Sequence, residues 1–325
     1  MAPLIDAPSS ATEPQWYFSK EELARAPSVR AGMAVSDERR QRQKACRVVW
    51  QLRDGLQLKQ ATVTTAITLL NRFYMRRSFQ DYDHLIGAGA AVFLASKNEE
   101  DLKSTKHLVQ VLLDLKRNTY RRGYPTQPET KTPEFDKLRR KLAVAEEAML
   151  NTLCFDLTVR HPHWLAVQTA ERVWRDEPEK AEEVASVAWA LLNDSLATQL
   201  CILRPPQTVA AAALALACSH LSLSLPIRPP SLGEQRTLHD LDAEQAEEGE
   251  EAPPFVPEVF WLDLLDVSVE ELQETVEDLL EGYNLAQDEF VRKEGEILAG
   301  KALPLLASLG SSAPPLQPTL ATPTA

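Results

Sequence analysis

Glycine is scarce in this sequence, 11 of 325 residues. That argues against a turn-rich β architecture, because hairpins and bulges draw on glycine's access to positive φ. Cysteine is scarcer still, and Cys46, Cys154, Cys201 and Cys218 stand far apart with no CxxC spacing. Neither a zinc framework nor a disulfide scaffold fits that pattern, so buried thiols in a reducing compartment are expected. No apolar run reaches the roughly 18 residues of a membrane-spanning helix; the longest candidate, Val209 to Cys218, is too short. The opening MAPLIDAPSS lacks the basic and apolar regions of a signal peptide, so an intracellular, soluble chain is expected. Catalytic signatures are missing as well: there is no Gly-rich phosphate loop, nucleophile elbow or HExxH. The chain therefore reads as a non-enzyme with no cofactor and no metal. A formal charge of −12 is the wrong sign for a protein that coats nucleic acid, so no direct DNA binding and no membrane contact are expected.

What is present is helix-forming sequence, with abundant Ala, Leu, Glu and Arg. Residues 36–56 read as a first helix, with Ala45, Val48, Val49 and Leu52 on its apolar side. Val63, Ala66, Ile67, Leu70, Phe73 and Tyr74 then recur at three- and four-residue spacing, the mark of a second. Residues 82–98 are apolar or small on every face, from Ile86 to Ala95, which predicts a helix at the centre of a bundle. A fourth helix is expected over 104–117. After a basic loop, Thr132 and Pro133 suit the cap and first turn of a fifth, with Leu138, Leu142, Ala145, Met149, Leu150 and Leu153 on one face.

From Pro162 the plan repeats, with helices expected at 163–175, 179–201 and 205–222. Ala212, Ala213, Leu216 and Ala217 echo Ala90, Ala91, Leu94 and Ala95. The expected fold is therefore all-α, two tandem five-helix bundles with flexible termini. Residues 227–257 interrupt the second bundle with prolines at both ends and the acidic run DLDAEQAEEGEE; a solvated loop and an acidic docking loop are the two readings. Ser268 and Glu271 form the pattern of a capping box, Val267 and Leu272 that of a hydrophobic staple. The helix they open is expected to run to about residue 298. The expected domains are a disordered lead-in over 1–15, a first bundle over 16–158 and a second over 159–284. A trailing helix and a Pro/Ser/Thr tail follow over 285–325.

Five segments in order carry a resemblance: WYFSKEELARAPS (16–28), NRFYMRRSF (71–79), FLASKNEE (93–100), CFDLTVRHPH (154–163) and AWALLNDSLATQL (188–200). Together the chain resembles the cyclin family, and within it the transcriptional branch of the cyclin K and cyclin T kind, over about residues 16–284 without the acidic insertion. Asn71 departs from that branch, where His is usual. The resemblance implies two cyclin boxes and a regulatory subunit that binds and activates a cyclin-dependent kinase in a heterodimer. It further implies a nuclear location and, through the kinase, phosphorylation of the C-terminal domain of RNA polymerase II. Lys97 and Glu146 would be the polar anchors of the kinase-binding surface, with Asn98 and Leu157 in the surround; Asn98 stands at a position usually apolar in the family. In the second repeat Ser219 matches Lys97, so only the first bundle would carry this grip.

Blander readings stand beside these. Lys97 and Glu146 could form an internal helix-end salt bridge. His161, His163 and Cys154 lack metal-ligand spacing, and Pro162 at a helix start explains the HPH sequence. The stretch from Lys103 to Lys141 holds eleven Lys or Arg, either solvated helix ends and a loop or an electrostatic contact with a partner. RRQRQK (39–44) resembles a nuclear import signal but falls on a predicted helix, where surface charge is the simpler account. The competing function is a twin-cyclin-fold transcription factor of the transcription factor IIB type. That class begins with a zinc ribbon absent here and uses basic surfaces. A splicing-associated cyclin is the milder alternative, and the Arg-Ser-rich tail expected of it is missing.

Overall fold

The computed structural model describes residues 13–122, 128, 130–223, 261–284 and 295–301. Among these residues every regular element is helical and no strand occurs, the expected all-α class. The chain divides into two compact units, one of residues 1–166 with 188–210 and the other of 167–187 with 211–325.

The first unit opens with a 3₁₀ turn, Glu13–Trp16, so the end of the expected disordered lead-in is ordered. Two short helices not anticipated from periodicity follow, α1 (Lys20–Leu23) and α2 (Pro27–Arg30). A reciprocal capping box opens α1: Glu22 N–H donates to Ser19 Oγ, and Ser19 N–H to the Glu22 carboxylate. The five expected helices then appear as α3 (Val35–Leu56), α4 (Gln60–Tyr74), α5 (His84–Asn98), α6 (Thr105–Lys116) and α7 (Pro133–Thr152). Thr132 caps α7 as its sequence suggests, accepting from Phe135 N–H at 3.3 Å.

Helix α5 packs against α3, α4, α6 and α7. It can do so because Gly87, Ala88, Gly89, Ala90, Ala91 and Ala95 are all buried and hold no neighbour away. A methyl group on Gly87 would run into the Tyr74 hydroxyl, and one on Gly89 would lie 2.6 Å from Leu112 Cδ1. The Tyr74 hydroxyl is itself fixed, donating to the carbonyls of Tyr82 at 2.9 Å and Asp83 at 3.2 Å. Between α3 and α4 lies a buried charge. Arg42 pairs with Glu38 one turn earlier, both side chains 3% exposed, and donates to the Asn71 carbonyl at 3.0 Å and to Asn71 Oδ1 at 3.2 Å. RRQRQK is thus part of a folded helix with one arginine inside.

The second region supplies α8 (Pro162–Val173), α9 (Pro178–Ser195), α10 (Leu200–Leu203), α11 (Pro206–His220) and α12 (Val269–Asn284). Residues of α9 and α11 fall in both compact units. Val209 through Cys218 of α11 is buried throughout, matching the small-residue character of α5. The expected helix over 179–201 is broken after Ser195. Hydroxyls compete for the backbone there: Ser195 Oγ donates to the Leu192 carbonyl and Thr198 Oγ1 to that of Ser195, while Thr198 Oγ1 accepts from Leu200 N–H. In the second unit the capping box of α12 is present, with Ser268 and Glu271 exchanging hydrogen bonds at 3.0 and 3.1 Å. Val267 and Leu272 are both buried. Helix α12 is described over Val269–Asn284 and residues 295–301 are helical; the stretch between them, over which the expected helix would continue, lies outside the described residues. The acidic insertion and the C-terminal tail lie outside the described residues. The thiols are not uniformly buried as expected: Cys46 and Cys218 are, Cys201 is half-buried and Cys154 is exposed.

Gly87→Ala should lower stability by about 1–3 kcal/mol, the cost of overpacking a fixed contact. Adding Tyr74→Phe removes the atom it strikes, so the double variant should lose less than the sum of the two single losses. Urea unfolding of all four chains measures this; strict additivity would show that the glycine does not meet that hydroxyl.

Candidate functional site

The last turn of α5 and the second half of α7 carry the two charged residues singled out by the sequence. Lys97 Nζ lies 2.5 Å from Glu146 Oε1, with the lysine side chain 46% exposed and the glutamate 13%. The ammonium also sits 4.0 Å from the centroid of the Phe93 ring, one turn earlier on α5. Ring and carboxylate together fix a side chain that otherwise has many rotamers. As an internal tie the pair is weak, about 0.2–1 kcal/mol, because water screens the exposed ammonium. The contact occupies one carboxylate oxygen of Glu146 and leaves the half-exposed ammonium with further N–H donors.

The backbone on either side of this pair is held by two helix terminations of the same design. At the end of α5, Glu100 adopts φ 50° and Asp101 N–H returns to the Ser96 carbonyl at 2.9 Å. At the end of α7, Cys154 adopts φ 52° and Phe155 N–H returns to the Leu150 carbonyl at 3.0 Å. Both are Schellman closures with a side-chain-bearing residue where glycine is usual. Asp101 then caps a different helix, accepting from Lys59 N–H at 2.9 Å and Thr62 Oγ1 at 3.0 Å at the start of α4. Burial pushes the Asp101 carboxyl up, but hydrogen bonds from Lys103, Lys59 and Thr62 outweigh it and hold the pKa below the ordinary value.

Beyond the α7 closure, Phe155 also takes positive φ, 60°, and its side chain is 69% exposed. Sequence reasoning missed it. Leu157, proposed for the surround, is half-buried against the core. Asn98 is exposed and donates to Glu99 Oε1 at 3.0 Å, so it is held by a carboxylate and not by apolar neighbours. The structure thus brings Lys97 and Glu146 into contact, and the polar contact of Asn98 goes elsewhere. Leu102, just beyond α5, and Val144, within α7 two residues before Glu146, are also exposed and unpredicted.

The two histidines of the HPH sequence do not converge. His161 Nε2 faces Thr65 Oγ1 at 2.9 Å, a hydroxyl that donates to Glu99 at 2.8 Å. His163 Nε2 faces Asn193 Oδ1 at 3.1 Å, and its ring meets Trp189 edge-on at 4.8 Å. Burial lowers the His163 pKa to about 4 against a smaller opposing contribution from Asn193.

Comparison with known proteins places these features in context. Residues 14–158 match the cyclin N-terminal domain. Cyclin-T2 of Mus musculus is 29% identical over 216 residues, which are 66% of this chain and 28% of that protein. Cyclin pch1 of Schizosaccharomyces pombe is 31% identical over 218 residues, 67% of this chain and 61% of that one. Cyclin-K of Homo sapiens is 30% identical over 206 residues, 63% and 34% respectively. The chain therefore spans less than two thirds of each of these relatives, from 28% to 61% of their lengths. In fold it is similar to a chain of the yeast RNA Pol II CTD kinase CTDK-1 complex, with TM-score 0.58, 17% identity, and 82% and 72% of the two chains covered. A chain of the Chaetomium thermophilum CAK complex gives TM-score 0.58 at 16% identity, covering 90% and 88%.

The buried imidazole sets a pH dependence. His163 has a pKa near 4 folded and 6.5 as a free group, so on acidification the unfolded chain takes up a proton that the folded chain refuses. Its contribution to stability is whole above pH 6.5 and is lost as the pH falls toward 4. Between pH 7 and 5 the loss should be about 2 kcal/mol. Urea midpoints at the two pH values measure it, and His163→Gln should flatten the difference; an unchanged slope in that variant would assign the effect elsewhere.

Proposed function

This chain belongs to the cyclin family through residues 14–158, and from that premise we propose that it binds and activates a transcriptional cyclin-dependent kinase as its non-catalytic regulatory subunit. The substrate of the pair is the C-terminal domain of RNA polymerase II, phosphorylated by the kinase, and the site of action is the nucleus. The observation that carries this reading is the Lys97–Glu146 pair: braced by Phe93, part-exposed, and accompanied by an apolar side chain, Phe155, that the fold leaves in solvent.

The chemistry asked of this surface is selection of a conformation. A kinase catalyses phosphoryl transfer only when its helix C is turned inward, so that a glutamate on it pairs with the ATP-binding lysine. A partner favours that state by binding it more tightly than the outward one, and the shift equals the difference in binding free energy. Lys97 offers N–H donors and Glu146 an acceptor oxygen, so together they can satisfy backbone carbonyls and N–H groups at opposite ends of a short segment. Expelling water strengthens both contacts, and each charge tempers the cost of desolvating the other. Phe155 supplies apolar area of the kind that dominates interface energies. In this reading Asn98 and Leu157 contribute at the margins of the interface.

Purification of the chain after co-expression with candidate transcriptional kinases, followed by assay on a Ser-Pro-containing polymerase-tail peptide, tests the reading. Lys97→Ala, Glu146→Ala and Phe155→Ala should each weaken kinase affinity by roughly 1–3 kcal/mol with little change in melting temperature. Undiminished affinity in the Lys97/Glu146 double variant would move the interface elsewhere. Salt-sensitive binding to duplex DNA with no kinase co-purifying would replace the function with that of a DNA-bound factor.

A further inference from the structure

Trp16 ends the 3₁₀ turn that precedes α1, and its indole N–H donates to Asp156 Oδ2 at 2.8 Å, a bond across 140 positions of sequence. The residue is 3% exposed, and two guanidinium groups lie over its ring, Arg72 at 5.4 Å and Arg76 at 5.9 Å from the centroid. Arg76 also lies 5.5 Å from the centroid of the Phe18 ring, and Phe18 N–H donates to the Ile202 carbonyl at 2.8 Å. Rings and backbone together thus seat this segment. On the loop that follows α7, Asp156 uses both carboxylate oxygens. Its Oδ1 accepts from Thr158 N–H at 3.3 Å, and the Thr158 carbonyl accepts from Arg72 Nη1 at 2.9 Å. The arginine that covers the indole therefore also holds the far side of the turn that Asp156 closes.

Phe155 stands between the α7 closure and this anchored turn. Cys154 and Phe155 take φ 52° and 60° in succession, conformations that residues with side chains keep only where the surroundings over-determine them. The Phe155 ring does not supply that constraint, being 69% exposed. From the α7 side its backbone N–H is held by the Leu150 carbonyl at 3.0 Å. From the other side the hold is the Trp16–Asp156 bond. Without it the loop is free to return to negative φ and to turn the phenyl ring out of water, both favourable changes. We propose that Trp16 is a positioning residue for the kinase surface, a strap whose indole N–H, through Asp156, keeps Phe155 turned outward for the partner. The inference rests on the function proposed above and adds to it a residue too buried to meet the partner itself.

A buried tryptophan beside two arginines is also good core, and that role alone predicts a different result. Loss of core lowers the melting temperature and leaves the folded chain's affinity for its partner unchanged. Loss of positioning lowers the fraction of folded chains that present Phe155 outward, and the apparent Kd rises by the inverse of that fraction. Phenylalanine at position 16 separates the two roles, because it keeps a ring for the guanidinium groups and lacks the N–H donor. The bond it removes is charge-assisted, the stronger kind.

The test begins with amide hydrogen exchange of the full, free chain. In Trp16→Phe the amides of residues 154–158 should exchange about fivefold or more faster, while those of α5 stay protected. Affinity for the co-purifying kinase should fall about fivefold, the figure for an outward fraction of about one fifth. Asp156→Ala should reproduce both effects, and Asp156→Asn, which retains an acceptor oxygen, should largely restore the native values. With Phe155→Ala in place, Trp16→Phe should cost no further affinity, because the residue it positions is gone. Unchanged exchange over 154–158 in both Trp16→Phe and Asp156→Ala overturns the strap. So does an equal loss of affinity with and without Phe155, which would place the effect of Trp16 elsewhere. If Phe155→Ala itself costs no affinity, the positioning role falls together with the kinase surface; that failure is told apart from the others because the exchange measurement needs no kinase.

Discussion

Gly87 and Gly89 leave α5 without side chains where Tyr74 and Leu112 press against it, and that close approach fixes everything built on the helix. Because α3, α4, α6 and α7 all contact α5, its axial position is set by many contacts at once. Interiors packed this tightly deform little, so a side chain at the end of such a helix inherits its precision. Lys97 is that side chain. Its partner Glu146 stands on α7, one of the helices that α5 positions directly, and Phe93 beneath the ammonium belongs to α5 itself. A polar pair made of two long, flexible residues thereby acquires a defined place in the surface.

The same unit carries a second commitment to one geometry, the buried Glu38–Arg42 pair with Asn71. A buried guanidinium is tolerated only when its donors are satisfied, and removing one partner costs about 3–5 kcal/mol. Asn71 meets the requirement from both sides of its amide. Its oxygen accepts from Arg42, while its nitrogen donates to the Ile67 carbonyl at 3.0 Å. The departure from the histidine usual in the transcriptional branch is therefore compensated locally. A tie between α3 and α4 is kept by a side chain that cannot titrate.

Helix content was legible in the sequence because the signals were local. The three- and four-residue spacing gave α3, α4, α6 and α7 nearly to their ends, the run of small residues gave α5 its central place, and Thr132 and Ser268 announced their helices by cap chemistry. What escaped detection was set by the absence of a usual signal or by distant contacts. Helix ends are commonly read from glycine, yet here Glu100, Asn118, Cys154 and Ser222 take the left-handed position. With no glycine at 154, nothing marked the closure that turns Cys154 and Phe155 outward, so the exposed phenylalanine was not singled out. The break after Ser195 likewise depends on hydroxyls choosing backbone partners, a competition that periodicity does not register. Lys97 and Glu146 were found by resemblance; residue spacing alone would not have joined positions 49 apart.

The rigidity of α5 also limits how its two ends can communicate. An effector changes a distant site only by preferring one of two states of the element between them. Helix α5 offers no evident second state, because any rotation or slide would drive neighbouring side chains into Tyr74 or Leu112, where the glycines leave no slack. Anything bound at the opposite end of α5 would therefore influence the Lys97–Glu146 end by proximity. Tethering raises the effective concentration of whatever is attached, and that gain needs no change in the contacts at either end. The geometry of the Lys97–Glu146 pair should accordingly be the same whether the opposite end of α5 is occupied or free.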